Sequence, residues 1–286
     1  MPLEDVGLLM FARARSDVPS LIGGEMHNLR RYGKGPFTIA VVHGGPGAVG
    51  EMAPVALELS SVGGVLEPLQ TATTLDGQVE ELKSVLESEG DLPITLIGFS
   101  WGAWLAWIVA ARHPSVVKKL ILVGSGPFEK KYAGEIMRTR LERLNDEERE
   151  EVLSLMKVLN SSAAGNRDTV LTRFGSLLAR ADAYDPLTYD DEALECRYAV
   201  YQGVWEEADA LRSSGKLLEL GEKIRCPVIV VHGTYDPHPF AGTHLPLSRV
   251  LRNVRFVLLE RCGHRPWIER HARERFYDLL KDEIRE

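Results

Sequence analysis

The sequence predicts an α/β protein with a mostly parallel central sheet flanked by helices, and three observations carry that prediction. Short, nearly all-apolar runs recur at 38–42, 94–97, 120–123, 228–231 and 254–259. Stretches with helical spacing stand among them, at 78–86 and 103–111. Glycine-bearing loops follow several of the runs directly. Both faces of a parallel sheet lie under helices, so its strands read as continuous apolar runs rather than as alternating ones.

Taken in order, residues 8–15 and 25–31 predict an antiparallel hairpin at the sheet edge. The strand at 38–42 runs into His43-Gly44-Gly45-Pro46-Gly47, and the strand at 94–97 runs into the helix beginning near Trp101. Between 128 and 220 the alternation breaks and the sequence turns helical and charged. Asn145 followed by Glu148 predicts a capping box, and the charges at 138–151 read as a solvated helix face. Strand character returns with CPVIVV at 226–231. The predicted organisation is a core at 1–127, a helical cap inserted at 128–220, and the rest of the core at 221–286.

At 286 residues the chain is long enough to bury a substantial core. With 44% hydrophobic and 26% charged residues and a net charge of −7, it is an ordinary globular chain without the clustered positive charge needed to grip nucleic acid or anionic membranes. Cys196, Cys226 and Cys262 are too scattered for a disulfide framework or a paired zinc motif, which fits a reducing compartment. The first residues place acids before a short apolar run and arginines after it, the reverse of a secretory leader, and no run reaches membrane-spanning length. A cytoplasmic protein without nucleic-acid or membrane partners is expected.

Ser100 lies between Gly98 and Gly102 where strand meets helix. So sharp a turn forces the serine into a strained backbone, lifts its hydroxyl clear of the sheet, and admits no side chain at either flanking position. The Trp101 amide, at the helix start, has no intrahelical acceptor and is placed to receive a developing oxyanion; an amide of the 43–47 loop, that of Gly45, supplies the second donor. His43 at the strand end reads as a holder of that loop. A serine needs a histidine to take its proton and a carboxylate to orient that histidine. His264 follows the last strand at the edge where Ser100 sits, whereas His27, His113 and His271 fall in places suited to surface roles. Asp236, beyond the penultimate strand and held extended by Pro237, supplies the acid. A metal set of His232, Asp236, His238 and His244 fits no helical two-histidine spacing, so neither metal nor cofactor is expected. Cys262 reads as an inert buried thiol and Trp104 and Trp107 as core, while Trp101 and Phe99 are placed to line the acyl pocket.

These residues, His43 to Gly47, Ser100-Trp101-Gly102, Gly233-Thr234-Tyr235-Asp236 and Gly263-His264, make the chain resemble the α/β-hydrolase superfamily, and within it the branch related to proline iminopeptidases. That resemblance implies an α/β-hydrolase fold with a triad of Ser100, Asp236 and His264 beneath a helical cap. Trp205-Glu206-Glu207 is similar to the cap element that holds a substrate's free amine in that branch, while Phe99 stands where the branch usually has glycine. The expected function is hydrolysis of a small ester or amide through an acyl-enzyme, either of an aminopeptidase kind on short peptides or of a carboxylesterase kind on small molecules. A small-ligand receptor on the same fold is the non-enzymatic alternative.

Overall fold

The computed structural model describes residues 28–161, 166–187 and 196–286. Its strands are β1 (Leu29–Tyr32), β2 (Phe37–Val42), β3 (Gly64–Pro68), β4 (Ile94–Phe99), β5 (Val117–Val123), β6 (Val228–Gly233) and β7 (Val254–Leu259). They form a seven-stranded sheet in the order β1-β3-β2-β4-β5-β6-β7. All neighbours are parallel except β1 and β3. The fold class is the one the sequence predicts. Of the expected hairpin, residues 8–15 and 25–27 lie outside the described residues; the rest of its second arm falls in β1, whose antiparallel neighbour is β3.

The strands are apolar throughout because they serve two cores. Val41, Ile97, Ile121 and Val231 face a cluster closed by α1 (Ala53–Leu59) and α10 (Arg273–Arg285). Val42, Leu96, Leu122 and Val230 alternate with them and face α2 (Leu75–Glu89), α3 (Trp101–Arg112) and α9 (Ala241–Val250). Every residue of α3 from Trp101 to Ala111 is buried, because the helix lies between the sheet and the elements above it. Trp107 and Trp104 anchor it by donating their indole N–H groups to the carbonyls of Leu217 at 2.8 Å and Gly126 at 3.2 Å.

Three elements leave little trace in the sequence. Helix α9 contains Pro246, and α1 is a single short turn pair of seven residues. Strand β3 carries Glu67, a buried carboxylate that interrupts an apolar run; it accepts from Tyr32 Oη at 2.7 Å and lies 3.7 Å from Arg30 Nη1. Burial pushes the Glu67 carboxyl up to about 7. Its folded value therefore exceeds its unfolded one, so stability present below about pH 4.3 is lost as pH rises through 7. Glu67→Gln is expected to abolish a loss of roughly 1–3 kcal/mol between pH 5 and pH 8. Urea unfolding of both proteins at the two pH values measures it, and parallel losses would contradict the assignment.

Between β5 and β6 the chain forms α4 (Gly134–Arg143), α5 (Asp146–Asn160), α6 (Arg167–Asp182), α7 (Tyr198–Ser213) and α8 (Lys216–Glu219). Helix α5 starts at the expected capping box: Asn145 Oδ1 accepts from Glu148 N at 2.9 Å, and Glu148 Oε2 accepts from Asn145 N at 3.3 Å. Among the described residues no helix is long and apolar enough to cross a membrane.

Candidate active site

Strand β4 and helix α3 meet with one residue between them, Ser100, at φ 53 and ψ −114. A Cβ at Gly98 would stand 2.2 Å from the Gly102 carbonyl oxygen, and one at Gly102 would stand 2.4 Å from that of His43. The turn thus demands both glycines for lack of space. It also imposes a left-handed backbone on a serine, a strain of order 1–3 kcal/mol that the surrounding sheet must sustain.

The C-terminal ends of β6 and β7 bring the partners. Ser100 Oγ lies 3.1 Å from His264 Nε2, and His264 Nδ1 lies 2.6 Å from Asp236 Oδ2. All three side chains are buried. Burial by itself would raise the Asp236 carboxyl, yet the neighbouring His264, His238 and His232 outweigh it and hold the group well below the usual carboxylate range. An ionised carboxylate only accepts, so His264 carries its proton on Nδ1 and presents a bare Nε2 to the serine hydroxyl.

The glycine loop after β2 lies against this constellation. Gly44 N donates to Glu51 Oε2 at 3.1 Å, which occupies that amide. Burial pushes the Glu51 carboxyl well above its usual range. His43 is buried and donates Nδ1–H to the Gly44 carbonyl at 2.6 Å, in keeping with a loop-holding role. Trp101 is the first residue of α3, so its N–H has no intrahelical acceptor.

The residues expected to face substrate fall on two elements, β4 and α7. Phe99 is fully buried in the cluster on the α1 and α10 side, its ring 4.8 Å from His264 and 4.7 Å from Trp267, so it packs against the histidine. Trp205 is buried and stacked between Trp104 and Tyr201, at 5.9 and 6.4 Å, which joins α7 to the core. The buried face of α7 is formed by Tyr201, Val204, Trp205, Ala208 and Arg212. One and two helical steps beyond Trp205 turn Glu206 and Glu207 off that face. Glu206 is exposed, and Glu207 Oε2 accepts from Leu75 N at 2.7 Å at the start of α2.

His27 lies outside the described residues. His113 ends α3, and His271 stands 3.2 Å from Asp185. Of the metal set weighed above, His244 stands apart, stacked on Phe240 and against Phe256. Asp236, His238 and His264 do offer ligand atoms within 4.8 Å of one another, but both carboxylate oxygens and both Nδ1 atoms are engaged among themselves. Burial raises all three thiols, Cys226 to about 11, with Cys196 and Cys262 also well above the usual thiol range.

Several neighbours of the site carry no sequence motif. Glu269 is fully buried and accepts from Gly263 N at 2.9 Å, Tyr184 N at 2.8 Å and Asp185 N at 2.9 Å, tying the segment after α6 to the loop that carries His264. The Asp182 carbonyl accepts from His264 N at 3.0 Å. The Asp182 carboxylate is chelated by Arg140 Nε at 2.6 Å and Nη2 at 2.5 Å, a fully buried ion pair.

The profile of the alpha/beta hydrolase family matches residues 34–279. Mouse epoxide hydrolase 4 is 36% identical over 70 residues, covering 24% of this chain and 20% of its own, so the chain spans about a fifth of that relative's length. A pimeloyl-[acyl-carrier protein] methyl ester esterase of Neisseria meningitidis is 28% identical over 214 residues, 71% of this chain and 74% of the relative. The crystal structure of a proline iminopeptidase of Mycobacterium smegmatis superposes with a TM-score of 0.59 at 16% identity, over 90% of this chain and 93% of that one, which is a likeness of fold alone.

Proposed function

The chain belongs to the alpha/beta hydrolase family, and from that premise we propose that it is a serine hydrolase that cleaves a small ester through an acyl-enzyme. The observation that carries this reading is the hydrogen-bonded line from Ser100 Oγ through His264 to Asp236 Oδ2, at 3.1 and 2.6 Å, with the serine at φ 53. In this reading His264 Nε2 takes the hydroxyl proton as Ser100 attacks the carbonyl carbon, and Asp236 stabilises the imidazolium. The amides of Gly45 and Trp101 receive the oxyanion, since that of Gly44 is engaged by Glu51. The imidazolium gives its proton to the leaving alcohol; the same base then activates water, which releases the acid. The segment at 128–220 acts as the cap over this site.

Two considerations favour an ester over an N-terminal peptide bond. The curated Neisseria relative is named as a methyl ester esterase. The acids expected to hold a free amine, Glu206 and Glu207, are exposed and engaged on α2 respectively.

A fluorophosphonate probe is expected to label the wild-type protein and leave Ser100→Ala unlabelled. Short nitrophenyl esters are expected to turn over faster than prolyl arylamide by at least about a hundredfold in kcat/KM, on the order of 2.7 kcal/mol. A preference for the arylamide, abolished in Glu206→Gln or Glu207→Gln, would restore the aminopeptidase. Absence of labelling, with a small molecule raising the melting temperature, would favour the receptor.

A further inference from the structure

Asp236 is approached by three imidazoles, of which the proposed reaction uses one. Its Oδ2 accepts from His264, whereas Oδ1 accepts twice from His238: from the backbone N–H at 2.9 Å and from Nδ1 at 2.7 Å. The rings of His238 and His264 lie with centroids 4.3 Å apart, tilted by 32°. His238 is buried, and its Nε2 has no hydrogen-bond partner among the described residues. The third imidazole, His232, donates Nε2–H to the His238 carbonyl at 2.8 Å and stays 3.7 Å from Oδ2.

We propose that His238 is a positioning residue: by donating Nδ1–H to Oδ1 it fixes the rotation of the Asp236 carboxylate and so aims Oδ2 at His264. The inference rests on reading Ser100, His264 and Asp236 as one acyl-transfer unit.

The physical need is plain from the torsion involved. The last torsion of an aspartate is broad and soft, so a single hydrogen bond at Oδ2 leaves the carboxylate plane free to swing. Two donors from one residue on Oδ1 remove that freedom. His238 must also stay neutral, because a second imidazolium at 4.3 Å would oppose the charge that His264 gains in the reaction. Burial, above all, pushes His238 down to about 4, and the charges of His264 and Arg140 act in the same direction. Among the described residues, the charged and titratable groups facing the cluster include His232 from β6, Asp236, His264 and Cys262, and, from α4 and α6, Arg140 paired with Asp182.

Three substitutions separate positioning from packing. The Asn amide reaches the place of Nδ1, the Gln amide reaches that of Nε2, and Ala reaches neither. His238→Ala and His238→Gln are expected to lower kcat about tenfold with KM within about twofold, while His238→Asn stays within about threefold of wild type. With one donor lost, more negative charge faces His264, so the acid limb of kcat/KM moves to higher pH in Ala and Gln and stays in place in Asn.

A readout independent of turnover is the low-field proton signal of His264 Nδ1–H, identified by its loss in His264→Gln. Its titration midpoint is expected to rise in Ala and Gln only. An unchanged midpoint and kcat in Ala would overturn the proposal, as would equal losses in all three variants that track a common fall in melting temperature. If Ala does not fold, Gln carries the comparison. A wild type that shows this titration yet hydrolyses no ester refutes the proposed function, and the midpoints of the variants still decide the role of His238.

Discussion

Ser100→Ala is expected to lower kcat on a short ester by about a millionfold while leaving the fold and substrate affinity nearly intact. The size follows from the way the site is built. In the proposed reaction His264 and Asp236 do one thing: they move the proton of a hydroxyl 3.1 Å from Nε2. Without that hydroxyl they have no nucleophile to serve, so removal of the serine costs about as much as removal of the whole line. What survives is the acceleration of order 10³–10⁴ over water that oriented amide donors and binding supply. Alanine also relieves nothing in the backbone, since the left-handed turn at φ 53 strains any residue with a Cβ. Single-turnover kinetics with purified protein, alongside a melting curve, measures both halves of the expectation. Retention of a tenth of the activity at an unchanged melting temperature would remove Ser100 from the chemistry.

The parts of this molecule that were legible in the sequence are those where backbone geometry permits few residue types. Gly98 and Gly102 are forced by contacts of 2.2 and 2.4 Å, so the turn that carries Ser100 announces itself. The two-faced strands read as apolar runs for a similarly rigid reason: each strand residue meets one core or the other. Asp236 and His264 were found from their places after β6 and β7, where the ends of parallel strands gather. Substrate-side residues were not legible in this way. Trp205, Glu206 and Glu207 adjoin in sequence, but helical rotation sends the tryptophan inward and the acids elsewhere. Phe99 is next to the serine in sequence, and strand alternation turns its ring into the core shared with α1 and α10, against His264.

Residues that act through a distant partner leave still less trace. Glu269 matters through amides of residues 184, 185 and 263, and Arg140 through a carboxylate 42 positions away. Each reads in the sequence as an ordinary charged residue among many. In the sequence His238 stands out only as a member of a metal set with His232, Asp236 and His244 that fits no helical two-histidine spacing. Its double donation to Oδ1 depends on how that loop folds back on itself.

The Arg140 and Asp182 pair yields the largest expected effect on stability. Both side chains are buried to within 1% exposure, and the contact is two-pronged at 2.6 and 2.5 Å. In Arg140→Met the carboxylate would remain in a dry site without its partner, which typically costs about 3–5 kcal/mol. At roughly 2–4 °C per kcal/mol for a chain near this size, the melting temperature is expected to fall by on the order of 10 °C. The desolvation of two charges offsets much of the attraction in an intact buried pair, so replacing both partners, in Arg140→Met with Asp182→Leu, is expected to recover most of the loss. Activity is expected to recover less than stability does. The Asp182 carbonyl holds the backbone N–H of His264 at 3.0 Å, so a repacked end of α6 shifts the ring whose Nε2 must stay within reach of Ser100. Melting curves and kcat for the single and double variants test both statements. A single variant that costs less than about 1 kcal/mol would show the carboxylate reaching water.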